Sequence, residues 1–315
     1  MKNSLQLSIV LPAYLEQENL GMLLPRLFHT VNNFESNFEV LVIDTNTPLD
    51  STKSICEQFG AKYINRVGGN TFGNAIRTGI AEAKGKYVIF MDSDGSHTPE
   101  FIKDLYEKRC ENSVVIASRY IDGGFTDNHK TLVWMSRALN AIYSNVLRLK
   151  LKDVSNNFKL YDAKLLKNLE LNCNNFDIVQ EIIYKIIRHN KNVTLTEIPY
   201  SFKQRMFGHT KRNLIAFIFT FGSTLLRLLL SDLRIDLLLK YSVVAAIGLF
   251  FDFGSYLILL RSFEVHYFWS GVGSFCLGFV VNFSLGRKFV FKQHKKLSNF
   301  KKEMTSVLFI SVVGL

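Results

Sequence analysis

The sequence predicts an α/β domain, a mostly parallel sheet with helices on both faces, followed by an α-helical membrane region. Two observations carry this prediction. Short apolar runs alternate with segments of helical spacing through the first two thirds of the 315 residues, as in sheets built from crossover units. Charge then thins out. Residues 1–212 hold 27 basic and 22 acidic side chains, net +5, whereas residues 213–315 hold 11 and 5, net +6. Mean hydropathy is +0.11, high for a chain that lives wholly in water.

Each element follows in order. Residues 7–11 (LSIVL) form a short apolar run closed by Pro12, which reads as a buried strand. Leu20, Leu23, Leu24, Leu27, Phe28 and Val31 recur at helical spacing. Residues 40–43 are a second strand, ending at Asp44, and residues 61–64 a third candidate. Residues 72–83 read as a helix. Residues 87–91 are a strand ending at Asp92, and residues 114–117 a strand ending at Ser118 and Arg119. Ligands of such sheets bind beyond the carboxyl ends of the strands. Pro12, Tyr14, Glu16, Asp44, Asp92, Asp94, Ser118 and Arg119 are therefore expected along one edge.

Several classes are excluded. Apolar and aromatic content (48% and 13%) is too high for disorder. Cys56, Cys110, Cys173 and Cys276 are scattered, with no C-x-x-C pair, so no disulfide scaffold is implied. The stretch GGNTFG at 68–73 does not match G-x-G-x-x-G, and neither a P-loop, H-E-x-x-H nor a nucleophile elbow occurs. The net charge of +11 fits nucleic acid, an anionic membrane or a phosphorylated substrate. Asp92 and Asp94, two carboxylates following a buried strand, suit a divalent cation and the phosphates it carries. A turn or N-cap pair ahead of a helix starting at Pro99 is the plainer alternative.

In this order the motifs resemble the family-2 glycosyltransferases, in the polyprenol-phosphate (dolichol-phosphate mannose synthase-like) branch. Residues 12–20 (PAYLEQENL) resemble its opening P-x-Y-N-E-x-x-N, and residues 91–100 (MDSDGSHTPE) its M-D-A-D-x-S-H-x-P-E. ASRY at 117–120, W-x-x-R at 134–137, DVSNNFKLY at 153–161 and EIPYSFKQRMFGHTK at 197–211 resemble its later motifs. The resemblance covers about the first 212 residues. It implies the GT-A nucleotide-sugar fold, and inverting transfer of mannose, glucose or a related sugar from a GDP- or UDP-sugar to a polyprenyl phosphate. It implies a magnesium or manganese ion held at Asp92, Asp94 and Ser96. Pro12, Tyr14, Glu16, Asp44 and Asp92 would face the donor nucleotide. Asp92, Asp94, Arg119, Arg137 and Arg205 would be catalytic, with Arg119, Arg137, Arg205 and Lys211 gripping the acceptor phosphate. No nucleic-acid partner is expected, and a homo-oligomer stays open.

Each assignment has a bland counterpart. Arg119 and Arg137 could be ordinary surface arginines, and Arg205 and Lys211 could touch only lipid headgroups. His97 suits orienting its loop better than ligating. Gln180 and Glu181 lie where related enzymes carry a base, on a helix with an apolar face that serves structure equally well. Three departures bear on donor choice: Thr45 follows Asp44 where a second aspartate is usual, Leu15 replaces Asn, and Asn157 replaces Gly.

The last third divides in two. Residues 213–236 read as an apolar interfacial helix and linker, with Arg212 and Arg227 reaching headgroups. Residues 237–315 resemble a GtrA-like membrane domain, with KYSVVAAIG at 240–248 and NFSLGRKFVF at 282–291 matching its motifs. Spans are expected at about 237–260 and 265–286, and a third, incomplete, from 304. Asp252 inside a span suggests a polar partner. Seven Lys and Arg between 287 and 302 place that loop, and the catalytic domain with it, on the cytoplasmic face of a multi-pass cytoplasmic-membrane protein. No cleavable signal peptide opens the chain. Two rival functions remain: transfer to a lipopolysaccharide or polysaccharide sugar, and a non-catalytic module that moves lipid-linked sugars.

Overall fold

The computed structural model describes residues 5–207, 214–232, 235–290 and 304–305. Lys211, most of the basic stretch after residue 290 and nearly all of the expected third span lie outside these residues. Two compact units divide the chain, Met1–Leu228 and Leu229–Leu315.

The first unit runs β1 (Leu7–Pro12), α1 (Gln17–Asn32), β2 (Phe38–Asp44), α2 (Thr52–Phe59), β3 (Lys62–Asn65), α3 (Phe72–Glu82), β4 (Tyr87–Phe90), α4 (Ile102–Glu107), β5 (Ser113–Ser118), β6 (Phe125–Thr126), α5 (Lys130–Val146), β7 (Lys159–Asp162), α6 (Ala163–Leu166), α7 (Ile178–His189), β8 (Thr194–Pro199), β9 (Ser201–Phe202) and α8 (Leu214–Asp232), whose last turn passes the unit boundary. Seven strands form one sheet in the order β3-β2-β1-β4-β7-β5-β8, and β6 pairs with β9 in a two-stranded ribbon. All pairings of the large sheet are parallel except those of β7. The α/β class and the predicted strands therefore stand, each within a residue or two.

The apolar runs explain the layers. Strands β4 and β5 are buried along their whole length, as strands covered on both faces must be. Helix α1 supplies Leu20, Leu23, Leu24, Leu27 and Val31 to one core, where they meet Leu7, Ile9 and Leu11 of β1. From β1 the chain builds outward through β2 and β3, and α3 then carries it back to β4 on the other flank of β1. This reversal is a topological switch point, and it opens a crevice between the ends of β1 and β4.

Helix α8, expected as an interfacial helix, packs one face against the first unit. Phe221, Thr224 and Leu228 are buried. Tyr143 of α5 donates its hydroxyl to the Phe221 carbonyl at 2.6 Å, and Tyr184 of α7 donates to the Leu228 carbonyl at 3.0 Å. Arg227, expected to reach headgroups, is exposed and also touches the loop before α7. Its Nη2 lies 2.6 Å from Cys173 Sγ, because the inner face of the helix sits against the loop before α7.

The second unit holds α9 (Ile235–Arg261) and α10 (Tyr267–Leu285), followed by a π-helical turn at Gly286–Val290. Leu238–Arg261 and Tyr267–Phe289 are long and apolar enough to cross a membrane. Ser270, Ser274 and Gly278, spaced by four, are the buried positions of α10. A Cβ on Gly278 would stand 2.7 Å from Cβ of Asp252, so this seam closes only around a glycine.

Candidate active site

The ends of β2, β1, β4 and β5 bring the predicted residues to one edge. Arg66, which sequence reasoning missed, ties the ends of β1 and β2 to the loop after β3. It is 5% exposed. Its Nε donates to the Asp44 carbonyl (3.0 Å) and Nη1 to the carbonyls of Asn70 (3.1 Å) and Thr71 (3.2 Å), while Nη2 reaches those of Ala13 and Ile43. An arginine saturated by backbone carbonyls works as a clamp for the loops rather than as a ligand for substrate. Asp44 itself is buried, taking the Tyr63 hydroxyl at 3.1 Å. Burial pushes its carboxyl above the ordinary value. Pro12 and Tyr14 lie at the rim, Tyr14 at 40% exposure.

The loop after β4 presents two carboxylates. Asp92 Oδ1 accepts the Asn157 amide at 2.9 Å, and its backbone N–H donates to His97 Nδ1 at 2.9 Å. That bond makes Nδ1 the acceptor nitrogen, so Nε2 carries the proton and donates to Asn156 Oδ1 at 3.1 Å. Burial lowers the pKa of His97, which keeps the ring neutral, and the ring stacks on Phe158 at 4.8 Å. His97 thus orients the loop, as its residue type and place suggested. Asp94 Oδ1 takes the Ser96 N–H at 3.0 Å and the Ser96 hydroxyl at 2.5 Å. Ser96 is buried, and its N–H and hydroxyl both hold Asp94. Gly95 turns the loop at φ +77°, and a side chain there would collide with Met206.

These carboxylates suit a hard divalent cation. Asp92 and Asp94 are each 24% exposed at the side chain; one oxygen of each takes the hydrogen bonds above, while Asp94 Oδ2 lies 3.5 Å from Arg205 Nη2 and Asp92 Oδ2 3.9 Å from His97 Nε2. Among the described residues no third acidic, His or Cys side chain joins them. A cation held there would take its remaining ligands from water and diphosphate oxygens, the usual environment of magnesium.

Basic groups crowd the same edge. Arg205 Nη2 lies 2.8 Å from Glu16 Oε1 and 3.5 Å from Asp94 Oδ2. Its segment is latched down: the Met206 N–H donates to the Asp94 carbonyl at 3.0 Å, and the Phe207 N–H to Asn19 Oδ1 at 3.1 Å. Arg119 places Nε and Nη2 on Asp153 at 2.7 and 2.8 Å. Burial opposes the charge on Arg119, but the Asp153 carboxylate outweighs it and holds the guanidinium above its ordinary pKa. The guanidinium carbons of Arg119 and Arg137 stand 5.0 and 5.3 Å from the centre of the Tyr120 ring. Arg137 is exposed and has no carboxylate partner among the described residues.

The loop before β7 supports this arrangement. Lys159 is fully buried beneath it, donating to the Val154 carbonyl at 3.0 Å and to the Asn156 carbonyl. Burial brings its pKa down to about 7. Asp153, Lys159 and Tyr120 were present in recognised motifs, but spacing alone gave them no role. Glu181 is buried, and its oxygens take the N–H groups of Asn172 and Cys173 and pair with Lys185 at 2.9 Å. It braces a loop and is not poised as a base.

Comparison with known proteins adds to this geometry. Residues 8–170 match the family model described as glycosyl transferase family 2, and residues 240–315 that of the GtrA/DPMS transmembrane domain. The chain is 28% identical over 258 residues to a dolichol-phosphate mannosyltransferase of Pyrococcus furiosus, covering 79% of this chain and 71% of that protein. It is 26% identical over 221 residues to the Saccharomyces cerevisiae protein of the same name, covering 66% and 81%. With a polyprenol monophosphomannose synthase of Mycolicibacterium smegmatis it shares 25% over 224 residues, covering 64% and 79%. Among solved structures, glucosyl-3-phosphoglycerate synthase of Mycobacterium tuberculosis, in complex with Mn2+, UDP and glucosyl-3-phosphoglycerate, superposes with a TM-score of 0.55. The two are 17% identical, covering 71% of this chain and 79% of that one. At that identity the likeness speaks for the fold alone.

Proposed function

From a chain that belongs to glycosyl transferase family 2 and carries a GtrA/DPMS transmembrane domain, we propose an inverting transfer of a hexose from a nucleotide diphosphate sugar to a polyprenyl phosphate. The observation that carries this reading is the pair Arg119 and Arg137, both against the Tyr120 ring (5.0 and 5.3 Å to its centre), at the edge that also bears Asp92 and Asp94. Two anion sites on one edge match a donor diphosphate and an acceptor phosphate. The names of the curated relatives, which act on dolichol or polyprenol phosphate, point the same way.

The chemistry asks little of a base. A phosphate monoester is largely doubly ionised near neutral pH, its second pKa being about 6. Its oxygen attacks the anomeric carbon as the bond to the nucleoside diphosphate breaks, and that group leaves with the electron pair. A magnesium or manganese ion held by Asp92 and Asp94 would supply neutralisation of the leaving diphosphate. Arg137 and the free Nη1 edge of Arg119 hold the acceptor phosphate, while the Asp153 fork fixes the orientation of Arg119. Arg205, between Glu16 and Asp94, is placed to shift from carboxylate to phosphate when substrates arrive. Lys211 is proposed to join it.

A lipid acceptor also accounts for helix α5. Leu132, Trp134, Ile142 and Val146 are exposed on it, while Tyr143 of the same helix packs against α8. Exposed apolar side chains of this kind suit a bilayer surface. Residues 1–212 are proposed as the catalytic domain, 213–236 as the interfacial segment and 237–315 as the membrane domain. The catalytic domain is proposed to face the cytoplasm, because two spans return the chain to the side of the basic loop.

The test is incubation of membranes containing the protein with radiolabelled GDP-mannose, UDP-glucose and related donors, each with undecaprenyl or dolichyl phosphate. Label in a mild-acid-labile lipid monophosphate product, with the nucleoside diphosphate released, is expected. Label only in a lipid-linked saccharide would replace the acceptor assignment.

A further inference from the structure

Asn157 stands at a position the reaction must use. Strand β7 lies between β4 and β5 in the sheet, so the loop leading into β7 sits between Asp92 at the end of β4 and Arg119 at the end of β5. A sugar passing from diphosphate to acceptor phosphate has to lie between those two groups. This placement rests on the acceptor reading above.

The amide has a fixed sense. Asn157 Nδ2 donates to Asp92 Oδ1 at 2.9 Å. An ionised carboxylate accepts and does not donate, so the amide cannot be turned over without setting oxygen against oxygen. Oδ1 of Asn157 therefore points away from Asp92. It carries no hydrogen bond among the described residues, and it is not one of the sealed, unpartnered atoms of the interior. The side chain is otherwise nearly enclosed, at 8% exposure. The result is a rigid amide with one end anchored on a carboxylate and a single acceptor atom opening on the crevice.

We propose that Asn157 reads the transferred sugar, its Oδ1 accepting a hydrogen bond from one hydroxyl of the donor hexose while its amine holds Asp92 in place. A site built to pair with a hydroxyl discriminates against a sugar that lacks it, because the nearly buried acceptor is then left unpaired. Asn157 is thus a determinant of sugar identity as well as a support for Asp92.

The test uses the full-length protein in detergent or nanodiscs. The best donor found for the wild type is compared with its 2-, 3-, 4- and 6-deoxy analogues, in wild type and Asn157→Ala. The wild type should lose about tenfold in kcat/KM on one analogue, about 1.4 kcal/mol. Asn157→Ala should show no further loss on that analogue, while its penalty on the other three matches its penalty on the parent donor. Equal penalties on all five donors would overturn the proposal and leave Asn157 as a support for Asp92 alone. Asn157→Ser, a smaller perturbation, runs beside it, and circular dichroism with thermal melting reports whether each variant is folded. The same comparison is made by binding intact donors without any acceptor. If polyprenyl phosphate accepts no sugar, the acceptor reading falls, yet the binding series still decides whether one hydroxyl couples to position 157.

Discussion

Arg119 and Asp153 form a buried fork: Nε and Nη2 of the guanidinium lie 2.7 and 2.8 Å from the two oxygens of a carboxylate that is 0% exposed. The Arg119 backbone N–H adds a third bond to the same carboxylate at 3.0 Å. The fork joins the end of β5 to the loop before β7, and it leaves only one edge of the arginine for a ligand. In the proposed site Arg119 would therefore serve the fold and the ligand together, whereas Arg137, exposed beside the Tyr120 ring, would serve the ligand alone.

Removing the buried carboxylate should be costly. Asp153→Asn leaves a desolvated guanidinium without its counter-charge, and breaking a buried pair from one side costs about 3 kcal/mol or more. Denaturant unfolding of the detergent-solubilised variant checks this. A change below about 1 kcal/mol would mean that the pair contributes little to stability.

Arg137→Ala should behave in the opposite way. The side chain is exposed and makes no ion pair among the described residues, so the melting temperature should not move. The KM for polyprenyl phosphate should rise about tenfold, equivalent to about 1.4 kcal/mol, with the donor KM nearly unchanged. A rise in the donor KM alone would assign Arg137 to the donor diphosphate.

Asp94→Ala should lower transfer on the order of a hundredfold or more, the scale seen when one electrostatic contact to developing charge is removed. The fold should survive, because Asp94 is partly exposed and lies in a loop at the edge of the sheet. Circular dichroism and the rate at saturating manganese are the measurements. Full activity in the variant, or in excess chelator, would remove the metal role.

What the sequence made legible follows the range of the forces involved. Strands 7–11, 40–43 and 87–91 were readable because residues buried on both faces leave uninterrupted apolar runs. The pair Asp92 and Asp94 was readable because both stand in one loop straight after such a run. Asp153, Lys159 and Arg66 took no role until the fold was known. Their partners lie 34, 5 and 22 residues away in the bonds that define them, and only the first two share a recognised motif. Arg227 shows the limit most plainly. An arginine in an apolar helix suits headgroups or a polar pocket, and its contact with Cys173 follows from the packing of α8, which spacing does not reveal.

Glu181→Gln separates a brace from a base. The carboxylate is buried and takes charge-assisted bonds from Asn172, Cys173 and Lys185, so the variant should lose about 2 kcal/mol of stability while kcat stays within about twofold. Burial alone would raise the pKa of Glu181, but its bond with Lys185 and the two N–H donors hold it below the ordinary 4.5. The unfolded chain then binds the proton more readily, and stability rises with pH through this window. The contribution is complete above about pH 4.5 and is lost as the pH falls below it. Melting temperatures from pH 3.5 to 6 should therefore show a steeper acid limb in wild type than in Glu181→Gln. A collapse of kcat with unchanged melting would restore the base reading.

The last prediction concerns where the chain can be cut. Phe221, Thr224 and Leu228 of α8 are buried, and Thr224 donates to Asp177 Oδ2 at 2.5 Å. Ending the chain after Asp232 keeps these contacts and removes both spanning helices. Ending it after Phe207 removes them and uncovers Asp177, Tyr143 and Tyr184. Burying two large apolar side chains contributes about 3 kcal/mol or more, so the shorter form should melt well below the longer one. The longer form should still transfer sugar to a short-chain polyprenyl phosphate in detergent, because every residue of the proposed site that the structure describes precedes residue 208. Its KM for long-chain acceptor in bilayers should rise, since the spans that hold it at the surface are gone. If the longer form melts as a folded protein and yet transfers nothing to a short-chain acceptor, the spanning helices contribute to the site itself and not only to anchoring.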